Sequence, residues 1–498
     1  MMVSLSSAAS IVRESGTVPQ KLGVEDFLRP EGDYNAPNVD ADADAIFGGP
    51  EARRILERKL LAKLDLRMSI LIVIYILNYI DRSNVSVARL KGLEADLHLV
   101  GQQFPTLLSI LYVGYVIMQV PSNMFMNWVG RPSIYLPTTM IVWGVISILT
   151  GPFVGALLTR FFLGFVEAAF FPGSLFLISK WYKRNEVGSR TALLFCGNII
   201  SNAFGSLIAS GILDTTMGGK LGDAAWRWLF YIEGSLTVFV AICAFFILPD
   251  FPHNTSWLSD QEKKLAILRM REDASTSVPD TASQSSGLWL ALSDWKVWWF
   301  AVAVTAHINA LSFNLYFPTL TATMGFRTTV SLLLCAPPFI VAAIFAFLYS
   351  RASDRTGKRF IFVASSQMVG IIGFTIAMST MNIAAQYVSL FLMAQSYGGL
   401  VVFYAWMSNS FYHPASKRAV SIALINAFSQ LGNIAGSYLW PSKWGPSYRY
   451  SYGICVATSG LSIIMSWVFK DHLRSMNEGM ENEEQERGQG AKGFRYLL

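Results

Sequence analysis

Charge is what this 498-residue chain has least of: Asp, Glu, Lys and Arg together make up 14% of it, against about 25% in a soluble globular chain. Long stretches are therefore built to stay out of water. Cysteine is scarce too, and Cys196, Cys243, Cys335 and Cys455 lie far apart in apolar runs, a spacing that supports neither a disulfide framework nor a zinc site. No Gly-x4-Gly-Lys-Ser/Thr loop is present, which argues against an ATP-driven pump. No motif groups a nucleophile, a base and an orienting residue, which argues against an enzyme. No cofactor or metal is called for. The first 60 or so residues lack the apolar core of a cleaved secretion signal and read as a disordered tail. The formal charge is +6, but the basic residues are scattered among short connections and form no nucleic-acid patch.

What the chain has is hydrophobic mass. Apolar residues make up 53%, aromatics 13%, and the mean hydropathy is +0.40. Apolar runs fall at 66–88, 103–127, 133–151, 154–179, 190–213 and 226–248, and after a polar stretch at 296–320, 328–350, 359–380, 386–409, 418–440 and 449–470. The pattern predicts an all-α membrane protein with twelve transmembrane helices in two six-helix bundles, each run being long enough to cross a hydrocarbon core of about 30 Å. The expected divisions are a tail at 1–64, bundles at 65–248 and 296–470, a hydrophilic linker at 249–295 and a second tail at 471–498, its acidic segment Glu478 to Glu486 solvated. Alternate connections carry fifteen basic residues against seven on the other side, so the richer side and both termini are assigned to the cytosol.

A charge at the bilayer centre costs several kcal/mol or more, so the exceptions matter. Asp81, Arg82, Arg160, Glu167 and Glu233 sit away from the ends of their runs. At about 1.5 Å per residue, Asp81, Arg82 and Arg160 fall at one depth toward the outer third, with Glu167 roughly 10 Å deeper. The expected arrangement sets Arg160 against Asp81, leaves Arg82 for a ligand anion and makes Glu167 a protonatable carboxylate. Arginine keeps its charge and offers a planar fork to a carboxylate, and a desolvated carboxylate can carry a proton near neutral pH. The competing interpretation is a set of fixed ion pairs that lock helices together. Polar residues also recur on single helix faces: Asn78, Asp81 and Arg82; Tyr115, Gln119 and Ser122; Asn198 and Asn202; His307 and Asn314; Asn426, Gln430 and Asn433. Each stripe either lines a watery cavity or bonds between helices. His307 is a candidate proton site or a packed histidine, and Trp143, Phe403 and Trp406 line the cavity or face lipid. Gly432 to Gly436, and Gly164, Ala168 and Gly173, signal close helix packing.

Several strings carry a specific resemblance. They are Leu77-Asn78-Tyr79-Ile80-Asp81-Arg82-Ser83-Asn84, Gln119-Val120-Pro121-Ser122-Asn123, Arg160-x3-Gly164-x2-Glu167 with Pro172-Gly173, and Trp226-Arg227-Trp228-Leu229-Phe230-x2-Glu233-Gly234. Over 65–470 the chain resembles the anion:cation symporter family of the major facilitator superfamily, and within it the fungal allantoate permease branch. Ser350 to Arg359 is similar to the superfamily's cytosolic loop signature, with Asp354, Arg355, Gly357, Lys358 and Arg359 in its gating positions. The equivalent loop near Gly130 is degraded, Asn127 and Trp128 replacing the charged pair. The resemblance implies a monomeric secondary transporter in the plasma membrane, importing a small organic anion such as a vitamin, ureide or amino-acid derivative by proton symport. It implies that Asp81 and Glu167 couple protons, that Arg82 contacts the substrate, and that Arg160 couples to the carboxylates. Tyr115 and Asn426 match cavity positions, and Gln430, His307 and Asn314 are the further candidates for substrate contact. A proton-coupled exporter and a nutrient sensor without useful flux are the rival functions.

Overall fold

The computed structural model describes residues 46–150, 153–214, 225–275, 284–411, 415–486 and 495–498. Most of the expected N-terminal tail, part of the linker and residues 487–494 lie outside these. The described chain is helical without strands. Apolar residues occur too densely along the runs for any other backbone that satisfies its own hydrogen bonds in lipid. Span one is Pro50–Ala88, span two Gln103–Val129, span three Pro132–Ile148, span five Arg184–Asp214 and span six Ala225–Ile247. Span eight is Thr328–Thr356, span nine Phe360–Ser379, span eleven Ala415–Ser437 and span twelve Arg449–Glu486.

Three spans are broken, each for a local reason. Span four is Phe153–Glu167 followed by Phe170–Trp181. Pro172 cannot donate to the carbonyl of Ala168, so the helix opens directly after Glu167. Span seven runs Trp295–Ala310, tightens to a 3-10 helix at Leu311–Tyr316 and resumes at Phe317–Ala322, where Pro318 takes a first-turn position. Span ten is Ile383–Ala394 and Ser396–Ser410. Eight helices among the described residues are long and apolar enough to cross a membrane, spans two and three are shorter apolar helices, and the polar stripes keep spans one and eleven below that measure. Large apolar side chains such as Phe239, Phe246, Ile344 and Ile464 point outward, where lipid replaces water as the solvent.

Helices approach closely at glycines. A Cβ on Gly114 would strike the carbonyl of Phe161, and one on Gly164 would strike that of Leu111, so spans two and four touch backbone to backbone. A Cβ on Gly144 would lie 3.1 Å from the carbonyl oxygen of Gly234 and one on Gly234 2.9 Å from that of Gly144, where spans three and six cross, and Gly432 places span eleven against the Thr305 carbonyl of span seven. The small-residue signals read from the sequence are packing seams. Span five lies along span eight and span two along span eleven, forming the two seams between the halves.

The ends of the bundle differ. At one end Arg89 donates to Ser442 Oγ at 2.9 Å, lies over the rings of Phe104 and Tyr316 at 4.5 and 5.6 Å, and pairs with Glu94 at 3.0 Å. Tyr438, just past the end of span eleven, meets Thr106 and Ser109 of span two at 3.1 and 3.2 Å. At the other end the linker forms a helix, Asp260–Ser275, clamped to the first half. Arg269, 1% exposed, donates to Glu57 at 2.5 Å and to Glu186 at 2.7 Å, and Lys63 pairs with Glu262.

Two tail expectations are corrected. The N-terminal tail yields to helix from Pro50, and the acidic segment Glu478–Glu486 continues span twelve. Within it Arg474 pairs with the exposed Glu478 one turn away, and Arg495 pairs with Glu484 at 2.6 Å.

Gly164→Val should force spans two and four apart, since the clash is with backbone that cannot rotate away. Detergent-solubilised protein should melt several degrees lower, and an unchanged melting temperature would show that the seam is loose. Burial alone pushes the Glu57 carboxyl up, but Arg269 and Lys183 outweigh it and hold it below the ordinary value of 4.5. Its contribution to stability is therefore complete above that value and lost as the pH falls through the lower folded value. Between about pH 5 and pH 3 the wild type should lose melting temperature more steeply than Arg269→Gln; parallel curves would remove Glu57 from the clamp.

Candidate functional site

Span one turns about 100° per residue, so neighbours Asp81 and Arg82 point to different places. Asp81 faces into the first half, 1% exposed, and its Oδ2 accepts from Thr237 Oγ1 of span six at 3.2 Å. Arg82 faces the space between the halves, and its Nε donates to Glu167 Oε2 of span four at 2.7 Å. Glu167 is fully buried, and the helix break that follows it separates its turn from the next.

This corrects the pairing expected from depth. Arg160 Nη1 donates to the backbone carbonyl of Asp81 at 3.0 Å instead of its carboxylate, and the guanidinium lies 5.5 Å from the Phe230 ring. Arg82 is not free: it is already held by Glu167. Depth along a helix gives height but no azimuth, and consecutive residues cannot share a partner. Glu233 is buried one turn from Thr237 on span six, so three carboxylates and two arginines stack inside the first half.

A cavity opens between the halves, bordered by Arg82, Ser83 and Ser86 of span one, and by residues of spans two, four, five, seven, ten and eleven. Of the expected substrate contacts, Arg82, Tyr115, Asn314, Asn426 and Gln430 all line it, joined by Asn198, Asn202 and Asn433 from the predicted stripes. Tyr115 and Tyr79 place their rings 4.6 and 5.0 Å from the Arg82 guanidinium. Asn433 donates to Gln430 at 2.9 Å, so the span eleven stripe is a connected row of amides.

The structure does not bring the other candidates there. His307 is buried within the second half, its Nε2 donating to the Ser396 carbonyl at 3.2 Å and its ring edge-on to Phe403. Arg160 and Asp81 are set behind the cavity wall. Trp143, Phe403 and Trp406 neither line the cavity nor face lipid, being buried inside their own halves. What the sequence reading missed is the aromatic wall: Tyr75, Tyr112, Phe171, Phe195, Tyr397 and Tyr404 border the cavity with Tyr79 and Tyr115. A signal existed, since Tyr75, Tyr79 and Arg82 recur at helical spacing on one face.

The loop between spans eight and nine pairs two of its charges. Arg359 Nη1 donates to Asp354 at 2.6 Å and to Ser353 Oγ at 3.0 Å, while Arg355 and Lys358 are exposed. Gly357 closes span eight at φ +67°, and Gly130 closes span two at φ +66°, a left-handed turn that glycine takes without penalty. The first loop therefore keeps the turn while Trp128 is exposed. A carboxylate arrives from elsewhere: Asp250, beyond span six, accepts from Ser133 N and Oγ at 3.2 and 2.6 Å.

A polar cavity whose described lining carries a single guanidinium, set between two helical halves whose outer surfaces suit lipid, defines a multi-pass membrane transporter. Residues 71–437 match the family model described as Major Facilitator Superfamily, and the chain belongs to that superfamily. It is 31% identical over 474 residues to the "MFS-type transporter cnsO" of Penicillium expansum, covering 89% of this chain and 90% of that one. It is 27% identical to the "Major facilitator-type transporter hxnP" of Emericella nidulans, covering 88% of each. Among solved structures, a D-xylose-proton symporter superposes with a TM-score of 0.62 at 15% identity over 82% of this chain and 98% of that one, a likeness of fold alone. The family and its relatives are transporters and not enzymes.

Arg82→Lys keeps the charge but has no nitrogen at the Nε position and no fork. If the cavity takes a carboxylate, its binding to purified protein should weaken about tenfold or more, the scale of one lost charge-assisted hydrogen bond. Unchanged affinity would remove Arg82 from the binding site.

Proposed function

We propose that the chain is a secondary active transporter that imports a small organic anion with protons, as in the anion:cation symporter family and its fungal allantoate permease branch. The observation that carries this reading is the Arg82–Glu167 pair at the cavity wall. One guanidinium serves two competing carboxylates, that of Glu167 and that of the substrate. When substrate takes the arginine, Glu167 is left buried without a cation, and an isolated buried charge is costly enough that the group neutralises instead. A proton then accompanies the anion. When the substrate leaves, the pair re-forms and the proton departs. Asp81, behind it and bonded to Thr237, is the second proton-coupling candidate, and Arg160 holds the span-one backbone in place.

In this reading the bundles are 65–248 and 296–470, the linker and both termini lie in the cytosol, and the protein works as a monomer in the plasma membrane. The Arg89 cluster is then the outer gate, and the loop holding Asp354, Arg355, Gly357, Lys358 and Arg359 is part of the inner one. The asymmetry of basic residues between the two sides supports the orientation.

Glu167→Gln decouples the two events, since the amide cannot release a proton. In proteoliposomes this variant should still exchange internal for external substrate but should no longer accumulate it when a pH gradient is imposed. Accumulation equal to wild type would reject Glu167 as the coupling group, and efflux driven by an inward proton gradient would make the protein an exporter.

A further inference from the structure

The two helices of the linker are built from opposite materials. Asp260–Ser275 carries eight charged residues and is held to the first half by ion pairs. Gln284–Leu292 reads Gln-Ser-Ser-Gly-Leu-Trp-Leu-Ala-Leu, without a charge, and it packs along span eleven with Ala291 fully buried. Leu288, Trp289 and Leu290 are exposed, Trp289 by 71%. At about 100° per residue, three consecutive side chains cover more than half of a helix circumference. The face opposite Ala291 is therefore large and apolar, and an apolar patch of this kind marks a partner other than water. With 9 residues the helix is too short to cross a bilayer.

What adjoins this face is the lipid-facing surface. Ser293 N donates to the Trp289 carbonyl at 2.9 Å, and Asp294 then caps span seven by accepting from Lys296 N at 3.0 Å. Trp289 thus stands about 6 Å of helix and two further residues from Trp295. Trp295, Trp298 and Val302 are exposed at i, i+3 and i+7, one outward face of span seven. Trp298 Nε1 donates to the Leu292 carbonyl at 2.9 Å, which satisfies an end carbonyl of the linker helix and fixes it beside the start of span seven. Lys417 pairs with Asp294 at 2.7 Å at the same place. Indoles beside lysines are the mixture that suits the edge of a bilayer, where a side chain keeps an apolar body dry and a polar tip wet. We propose that Gln284–Leu292 is a membrane-surface helix whose Leu288, Trp289 and Leu290 bed into the lipid boundary on the side where the linker emerges. Its apolar face then reaches about 5–10 Å into the headgroup and acyl boundary. Whatever the cavity carries, this helix ties the second half to the lipid around it.

The full-length protein in phosphatidylcholine nanodiscs tests this by site-directed fluorescence. Cys243→Ala removes the cysteine that is not buried, and Trp289→Cys or Leu290→Cys then carries a nitrobenzoxadiazole probe. Both sites are exposed, so neither substitution empties the core. Ile464→Cys, within span twelve, and Glu478→Cys, beyond its apolar part, are the deep and the aqueous reference, both exposed. Probes at the Trp289 and Leu290 sites should lose most of their emission to phosphatidylcholine with a nitroxide on the upper part of its acyl chain. They should lose less to lipid labelled near the chain end, and should resist reduction by dithionite. The Ile464 probe should show the opposite depth preference, and the Glu478 probe should be reduced at once. If the linker probes are reduced as fast as the Glu478 probe, the helix lies in water and the assignment is wrong. Resistance to dithionite without quenching by either lipid would mean that protein covers the face, which overturns it equally. A depth preference matching that of the Ile464 probe would reject a position at the boundary.

Discussion

Arg82 and Glu167 are an ion pair of 2.7 Å in which the glutamate is fully buried and the arginine borders the cavity. Removing one partner from a buried pair is strongly destabilising, by about 3–5 kcal/mol, because the other charge is left uncompensated. In the proposed cycle that constraint would turn a helix contact into a coupling device: a substrate carboxylate would take the arginine only if the glutamate is neutralised, and the glutamate would ionise again only when the arginine returns. Much of the first half fixes the geometry of this pair. Gly114 and Gly164 bring spans two and four into backbone contact, which sets the height of Glu167, and Pro172 opens the helix directly below it. Arg160 fixes the span-one carbonyl one residue before Arg82.

The second half contributes differently. Its lining residues are uncharged amides and aromatic rings, and its buried histidine is spent on the Ser396 carbonyl. Charge chemistry is thus concentrated on one side of the cavity and shape recognition on both. The two halves share a fold but not a composition, as their loops also show: both close a helix on a left-handed glycine, but Arg359 and Asp354 pair within one loop whereas the other borrows Asp250 from after span six.

Much of the architecture was legible because burial in lipid writes itself into composition. Twelve apolar runs, the division after the sixth and the buried charges could all be read directly. The span five and span eleven stripes also line the cavity as one of their two readings held. Pairing was less legible. Asp81 and Arg82 are adjacent in sequence and at the same depth, but a helix separates their directions, so depth alone set Arg160 against Asp81 without showing that the bond goes to its backbone carbonyl, and left Arg82 unpaired. His307 and Asn314 share a spacing of seven, yet only Asn314 reaches the cavity, because the helix tightens between them. Trp143, Phe403 and Trp406 illustrate a third limit. A large ring in an apolar run has three possible neighbours, lipid, cavity or another helix, and hydropathy does not distinguish them. The tail from Glu478 to Glu486 reads as solvated disorder by composition; Glu478 and Glu481 are exposed to solvent, but the segment is helical, continuing span twelve.

Each half also carries its own piece of the polypeptide outside the membrane. The linker helix is bolted to the first half through Arg269. At the opposite end of the chain, Trp406 Nε1 donates to the Leu497 carbonyl at 3.0 Å, Asn477 exchanges two hydrogen bonds with Tyr496, and the amide of Arg359 donates to Leu498. The linker's next described helix, Gln284–Leu292, packs along span eleven. The two helices of one linker are thus fastened to different halves, so any motion of one half against the other moves them relative to each other.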